Sequence, residues 1–392
     1  MKIMFAVGSY WPSQDGVASI TEYLAEGLAS RGHEVLVLTS AGDGGRQMLP
    51  REEVHEDVLI KRMRIYVEWP LKLQGRDIES TKQRYISEIK TFNPNILVVV
   101  CAQTWTFDWI MDDLDSIKCR KVFYSHGFSG MKKHYDYWGY IKHRNIVGVY
   151  REYLAQKYYY RINKYLRKYD MTLHITEWSD SYVYCEKNNI ECKVLENAIE
   201  DKFFDIEMTH NYNSNRDGVV FLCIGNYNPN KNQAMIIEAF SKAQVTGCEL
   251  WFAGFEENEY LDTLRELANK CGKDRKIVFN VHLSRDEIYD LYKNADVYVC
   301  ASVSETWSIV AHEAAATGMP IISTPVGALK YMDGVLMANN EDELASQMEF
   351  LFFNQEKISE NGARLETYVR KRKCQVSDKI DWIEKMFESL LK

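Results

Sequence analysis

The chain has 392 residues, of which 46% are apolar and 27% charged, with a formal net charge of −8. At roughly 150 residues per domain it is long enough for two or three domains with cores of their own. Its composition excludes disordered, collagen-like and small disulfide-scaffold proteins, and its acidity excludes a nucleic-acid binder as a whole. The longest uninterrupted apolar run, 96–102, has seven residues, against about 20 for a membrane-crossing helix. Met1–Gly8 does not read as a secretory signal, because its apolar run is short and ends without a cleavage-like site. Nine cysteines, at 101, 119, 185, 192, 223, 248, 271, 300 and 374, are odd in number, scattered and without a Cys-x-x-Cys pair. That pattern fits free thiols in a reducing cytoplasm better than disulfides or a zinc site.

In chain order, Lys2–Val7 reads as a buried strand and Ser9–Asp15 as a loop. Val17–Arg31 follows as a helix, with Ile20, Tyr23, Leu24 and Leu28 on one face and Gly32 at the C-cap. Glu34–Thr39 is a second strand, and strand–helix–strand in under forty residues implies a parallel sheet. Ile96–Val100, Lys121–Tyr124, Met171–Ile175 and Lys193–Leu195 continue the sheet. The chain turns polar over 206–217, where a domain boundary is expected.

A second alternating series begins at Gly218. Its predicted strands are 219–224, 249–253, 276–280, 296–301 and 320–324, and its predicted helices 231–243, 258–270, 285–294 and 308–317. Residues 341–353 and 375–391 read as closing helices. Open parallel sheets bind ligands at the carboxyl ends of their strands, so two such sheets in one chain suggest a small-molecule site between domains.

The most informative stretch is Asp296–Gly327. A strand ends at Ala301, a loop holds Glu305, and a helix beginning near Ser308 carries Glu313 and stops at Gly318-Met319-Pro320. The amides of Thr306, Trp307 and Ser308 lie at or before the helix start, where backbone N–H groups lack intrahelical partners and favour an anion. Two Glu eight apart mean little alone; Glu305 gains weight from its strand-to-helix loop, where functional groups concentrate.

This Glu-x7-Glu arrangement, followed by Ala, Gly-x-Pro and an apolar strand, resembles the donor-site signature of retaining glycosyltransferases of the GT-B fold, family GT4 (glycosyl transferases group 1). The resemblance implies an α/β architecture of two Rossmann-like domains with a cleft between them. It implies an acceptor domain over 1–205, a nucleotide-sugar domain over 206–375, and a C-terminal helix, 376–392, that packs back on the first. It implies that Glu305 touches the donor sugar and Glu313 the ribose hydroxyls; an ionised carboxylate accepts two hydrogen bonds from a vicinal diol. Thr306, Trp307, Ser308 and Ile309 fall at the donor as well, although Thr306-Trp307-Ser308 stands where the family has Gly-Phe-Gly.

Residues 223–233 resemble the family's Gly-Arg…Lys loop, in which two cations neutralise the donor diphosphate. Lys231 matches in spacing, and Asn226 stands in place of the usual Arg. Ser9–Gly16 resembles the glycine-rich loop facing phosphate and acceptor, with Gly16 present and Asp15 replacing the other glycine. His126-Gly127 matches a family position near the donor sugar's O6. Residues 196–200, Glu-Asn-Ala-Ile-Glu, resemble a family turn at the domain end. Each of these has a plain structural reading too: a loop glycine, a surface lysine, a satisfied histidine.

The expectation is transfer of a hexosyl-type unit from a UDP- or GDP-sugar to a hydroxyl of a sugar, polymer or lipid-linked acceptor, with retention, in surface polysaccharide or glycoconjugate synthesis. No metal is expected; Asp113-Leu114-Asp115 has Asp-x-Asp spacing but lies in a helix-like stretch. The alternatives are a GT-B nucleotide-sugar epimerase and a non-catalytic nucleotide-binding membrane scaffold. Independently of the resemblance, residues 131–169 hold ten Lys or Arg against Asp136 and Glu152, with ten Tyr and Trp138 interleaved. Such a segment suits an anionic membrane surface, or else it is a solvated helix whose tyrosines pack on the domain. The expected location is the cytoplasm, peripheral on the inner membrane face.

Overall fold

The structure, a computed structural model, describes residues 1–13, 15–43, 49–68, 72–75, 77–127, 137–206, 218–271 and 276–392. It divides into two compact units, Met1–Asn197 with Ser377–Lys392, and Ala198–Val376. The division falls ahead of the polar stretch expected to separate the domains, whose residues 207–217 lie outside the described ones. Lys132, Lys133 and Asp136 lie outside them too.

In the first unit the elements run β1 (Lys2–Ala6), α1 (Gly16–Ser30), β2 (Glu34–Asp43), β3 (Glu52–His55), β4 (Val58–Glu68), β5 (Lys72–Gln74), α2 (Ile78–Phe92), β6 (Ile96–Val100) and α3 (Trp105–Ile110). They continue with β7 (Arg120–Ser125), α4 (Tyr137–Lys142), α5 (Ile146–Leu166), β8 (Met171–His174), α6 (Asp180–Lys187) and β9 (Cys192–Val194). The sheet order is β3-β4-β2-β1-β6-β7-β8-β9, with β5 on β4. Only the β3–β4 and β4–β5 pairings are antiparallel among the described residues. β6 is buried at every position, as a strand covered on both faces must be.

The stretch β3–β5 and helix α2 were not legible in the sequence. β4 carries Lys61, Arg62 and Arg64, which hide its alternation. Arg62 is nonetheless fully buried, donating to the Pro50 and Trp11 carbonyls at 3.1 and 2.7 Å and pairing with Glu53.

In the second unit the elements are β10 (Val220–Ile224), α7 (Gln233–Lys242), β11 (Glu249–Gly254), α8 (Glu259–Lys270), β12 (Lys276–Val281), α9 (Arg285–Asn294), β13 (Val297–Cys300), α10 (Ile309–Ala316), β14 (Ile321–Ser323), β15 (Leu336–Met337), α11 (Glu341–Phe353) and α12 (Glu356–Lys371). The sheet is parallel throughout, in the order β12-β11-β10-β13-β14-β15. That is the Rossmann order, 3-2-1-4-5-6. Alternation along β10 sorts the core into two faces. Phe221 and Cys223 pack in one cluster with Ile236, Leu261 and Leu344 of α7, α8 and α11. Val220 and Leu222 pack in the other with Tyr292, Ala311 and Leu365 of α9, α10 and α12. Close contact fixes α10 on α12: a Cβ on Gly362 would stand 1.7 Å from the Gly318 carbonyl oxygen.

The last helix, α13 (Val376–Leu391), belongs almost wholly to the first unit. There Glu384 meets Arg31 at 2.6 Å and His33 at 2.7 Å.

Candidate active site

In the second unit the strand order reverses between β10 and β13, which pair through Phe221–Val297 and Leu222–Tyr298. The loops leaving these two strands therefore diverge from one point, where open α/β sheets take ligands. Lys231 comes from the first loop and Glu305 from the second. Lys231 Nζ lies 2.6 Å from Glu305 Oε1, which also accepts from Ser302 Oγ at 2.8 Å. Backbone bonds stitch the loops together: Val303 N–H donates to Asn230 O at 2.8 Å, and Asn230 Nδ2 to Ser304 O at 2.9 Å. Asn226 contributes its carbonyl to Gln233 Nε2 at 3.1 Å. The far side is closed by Gly327, with φ +50°, where a Cβ would stand 2.6 Å from Glu305 O.

Helix α10 begins one residue later than expected, because Ser308 adopts φ +67°. This is the left-handed region that favours glycine, and Ser308 stands where the resembling family has its second glycine. Trp307, buried, stacks on His312 with ring centroids 3.5 Å apart and 10° between planes. The His312 ring is held in turn by its Nδ1 at 2.9 Å from Ser308 O. No side chain caps the helix, and the buried Trp307 Nε1 and Ser308 Oγ have no hydrogen-bond partner. Thr306, Trp307, Ser308 and Ile309 thus gather with Lys231, Glu305 and Asn226 around one switch point.

Glu313, one turn further along α10, is only 3% exposed. Its Oε1 accepts from Arg285 Nη2 at 2.7 Å and its Oε2 from Tyr292 OH at 2.9 Å. Burial raises its carboxyl above the ordinary value, against Arg285 and Tyr292, which favour the charged form. Arg285 is itself fixed. It meets Glu200 Oε1 through Nε at 2.9 Å and Nη2 at 2.5 Å, and its guanidinium lies 4.9 Å from the Phe203 ring centroid and 5.3 Å from that of Tyr289. Tyr289 OH donates to Glu200 Oε2. Arg285, Tyr292 and Ser302 were missed in the sequence, since a single Arg or Tyr in a helix carries no positional signal. Glu200 falls in the 196–200 turn that the resemblance places at the domain end.

Gly16 and His126 belong to the first unit. Gly16 opens α1, and Asp15, standing in place of the family's other glycine, is the N-cap. Its Oδ1 accepts from Val17 and Ala18 N–H at 3.0 Å each, and its Oδ2 from Ser9 and Ser13 hydroxyls at 2.5 and 2.9 Å. The chain's own carboxylate thereby takes amides that an incoming anion would use. His126 follows β7, with its ring centroid 4.6 Å from that of Tyr124 and its Nε2 buried without a partner. Burial pushes its imidazole down to about 4, Asp15 opposing, so it is neutral at pH 7.

The basic, aromatic segment divides into two behaviours. Toward the C-terminal end of α5, Ile162, Tyr165 and Leu166 are buried, and Tyr158 and Tyr165 donate to Asp108 and Asp112 at 2.7 Å. From α4 to mid-α5, Trp138 is 81% exposed and Ile146 81%, with Ile141, Val147, Tyr150 and Tyr153 exposed beside them. No helix among the described residues is long and apolar enough to cross a membrane. All nine cysteines are free.

Residues 205–372 match the family described as glycosyl transferases group 1, and residues 14–180 match Glycosyltransferase Family 4. Among curated proteins, the chain is 27% identical over 358 residues to an uncharacterized glycosyltransferase of Methanocaldococcus jannaschii, covering 84% of this chain and 82% of that protein. It is 30% identical over 116 residues to a D-inositol 3-phosphate glycosyltransferase of Mycolicibacterium smegmatis, but the match spans only 29% of this chain and 26% of the relative. Among solved structures, sucrose-phosphate synthase of Thermosynechococcus elongatus superposes with TM-score 0.73 at 13% identity, over 99% of this chain and 98% of that one. HepE of Anabaena, in complex with UDP and glucose, superposes with TM-score 0.70 at 13% identity, over 99% of this chain and 100% of that one. The two domain matches follow one another along most of the sequence and the fold is GT-B; the chain is a glycosyltransferase, with a Family 4 domain followed by a group 1 domain.

Proposed function

We propose that the chain is a retaining GT4 enzyme that moves a hexosyl-type unit from a UDP- or GDP-sugar to a hydroxyl of a saccharide or lipid-linked acceptor. The observation that carries this reading is the convergence of Lys231, Glu305 and the uncapped start of α10 on one switch point, with Glu313 buried along the same helix. Each group has a chemical task there. Lys231 and the amides around Ser308 and Ile309 meet the diphosphate, whose departure creates the negative charge to be stabilised. Asn226, Thr306 and Trp307 line that approach. Glu305 accepts from sugar hydroxyls. Glu313 accepts from the ribose diol, for each of its oxygens has a lone pair beyond the one taken by Arg285 or Tyr292. His126, neutral at pH 7, offers an imidazole hydrogen bond to a sugar hydroxyl, and Gly16 leaves the loop open to the acceptor.

In this reading the acceptor oxygen attacks the anomeric carbon on the face from which the nucleotide leaves. The C–O bond to the acceptor forms as the bond to the phosphate oxygen breaks, and the acceptor's proton passes to the leaving phosphate. No metal ion is required for that step. Incubation with a panel of UDP- and GDP-sugars tests the reading. Slow nucleotide release, with the freed or transferred sugar keeping its anomeric configuration by NMR, is the expected result. Inverted product, or epimerised donor without transfer, overturns it.

The exposed apolar side chains of α4 and α5, flanked by Lys142, Arg144, Arg151 and Lys157, fit an anionic lipid surface on the cytoplasmic face, where a lipid-linked acceptor for glycoconjugate or polysaccharide synthesis is at hand. Co-sedimentation with vesicles containing phosphatidylglycerol, reduced in Trp138→Ala/Ile146→Ala and absent with neutral vesicles, is expected; equal, negligible binding to both vesicle types removes the idea.

A further inference from the structure

Glu22 and Glu26 lie one turn apart on α1, and His55 ends β3 beside them. One ligand-type atom from each of the three lies within 4.8 Å of the others. No step of glycosyl transfer uses them. His55 stacks on Trp11, with centroids 4.1 Å apart and 19° between planes, and the Trp11 carbonyl is tied to the buried Arg62 at 2.7 Å. The imidazole plane is therefore set by a loop with its own anchor. His55 Nε2 stands 3.6 Å from Glu26 Oε1, too far for a hydrogen bond.

Two buried oxygens here have no hydrogen-bond partner, one on the cluster member Glu26 and one on Tyr10, which stands outside the cluster. Glu26 Oε1 finds no donor. Tyr10, only 3% exposed, has a hydroxyl without a partner, and the charges acting on that hydroxyl are Glu26 and Glu22. A buried oxygen left unpaired costs about 1–3 kcal/mol, so two together call for a group that both can face. The charges around the space are negative: Glu22 and Glu26 from α1, and Glu56 from the β3–β4 turn. The His55 imidazole stands among them, 3.6 Å from Glu26. Burial, with Glu22 and Glu56, pushes the Glu26 carboxyl up to about 7.

We propose that Glu22, Glu26 and His55 bind one divalent transition-metal ion of the zinc class, with the Tyr10 hydroxyl facing a water in its open position. One imidazole and two carboxylates match the three protein ligands that zinc takes alongside a water. The imidazole nitrogen favours a transition metal over calcium or magnesium, which prefer oxygen ligands throughout. At about 2.0–2.2 Å per bond the ligand atoms of a tetrahedral site stand about 3.3–3.6 Å apart, so binding draws these side chains together by small rotamer changes. The ion would join α1 to the edge strand β3 and stabilise the folded chain by linkage.

The test uses the full chain, stripped by chelation and dialysed. Equilibrium dialysis against ZnCl2 is read by metal analysis, with the visible spectrum of the Co2+ form in parallel. One ion per chain, with the absorption of tetrahedral Co2+ lacking a thiolate charge-transfer band, is expected in the wild type. Both signals are lost in Glu26→Gln and, independently, in His55→Gln. Zinc raises the melting temperature of the wild type and leaves both variants where they were, and MgCl2 raises none of them. Stoichiometric zinc retained by both variants, or a thiolate band pointing to the cysteines, overturns the proposal. So does a wild-type chain that binds no zinc.

Discussion

Glu313→Gln separates the nucleotide role proposed for this residue from its structural one. In the folded chain the Glu313 oxygens accept from Arg285 and from Tyr292, and burial disfavours the charge. A glutamine fits the same space. Its Oε1 accepts from Arg285 while its Nε2 turns to the Tyr292 oxygen, so both neighbours keep a partner. Loss of an ion pair and loss of a buried charge then act in opposite directions, and unfolding free energy is expected to change by no more than about 1 kcal/mol. Nucleotide binding responds differently. A carboxylate can accept from both ribose hydroxyls, whereas the amide offers one acceptor and no charge. Losing one charge-assisted hydrogen bond and weakening another costs about 1.5–3 kcal/mol, or roughly a 10- to 100-fold rise in Kd. Isothermal titration with UDP and with GDP reads the affinity, and urea unfolding reads the stability. A variant that unfolds with the wild type and also binds the wild type's preferred nucleotide with undiminished affinity refutes the ribose assignment.

Gly362→Ala is expected to destabilise the second domain by about 2–3 kcal/mol, because the new methyl meets the Gly318 carbonyl backbone rather than a flexible side chain; since α10 carries Glu313, scanning calorimetry and UDP affinity should fall together. Stability should also fall in acid. The folded His126 and His174 imidazoles sit at about 4 and about 3, below their ordinary 6.5, so the unfolded chain binds more protons and the stability they contribute is complete above pH 6.5 and lost as pH falls through the folded values. His126 alone accounts for up to about 3 kcal/mol, and urea titrations at pH 7.5, 6 and 5 should show the decline, flattened in His126→Gln. Glu26, raised to about 7, has the opposite sign: its contribution is present below 4.5 and is lost as pH rises through 7.

Much of the second unit was legible because its signals are local. Helix Arg285–Asn294 was bounded in the sequence as found, and the structure shows Ser284 and Glu287 forming a capping box at its start. The Glu305 loop and the helix of Glu313 were visible because strand, polar loop, small-residue helix and Gly-x-Pro follow one another without interruption. The missed parts depend on partners distant in sequence. Arg62 is a charge inside β4 whose burial makes sense only once Glu53 and the Trp11 carbonyl are beside it. Arg285 and Glu200 are 85 positions apart and acquire meaning only through Glu313. Asp15 read as a lost glycine; the structure shows a carboxylate capping its own helix. The basic segment was open between membrane docking and packing because its residues divide, the tyrosines near 165 turning inward while Trp138 and Ile146 face out.

The charges of the second-unit site constrain how the proposed donor would enter it. Lys231 and Arg285 are positive and Glu305, Glu313 and Glu200 negative, so the group carries a net charge of −1 before a diphosphate arrives with about two more negative charges at pH 7. A cation must then change partners. Arg285 is poorly suited, being stacked on Phe203 and Tyr289 and shared by two glutamates. Lys231 is a point charge on a flexible stem, paired with a single carboxylate and a quarter exposed, so it is the better placed of the two to change partners. If Lys231 passes to the diphosphate, Glu305 is freed for the sugar hydroxyls by the same movement. Glu305→Gln should therefore act in two directions, because the amide releases Lys231 and loses the sugar contact. UDP or GDP alone should bind more tightly, by up to about fivefold, while turnover of the nucleotide sugar falls by about 100-fold. Calorimetry of the nucleotide and a donor-hydrolysis assay decide it: if the variant weakens nucleotide binding as well as turnover, Lys231 does not exchange partners and Glu305 holds the donor site together in some other way.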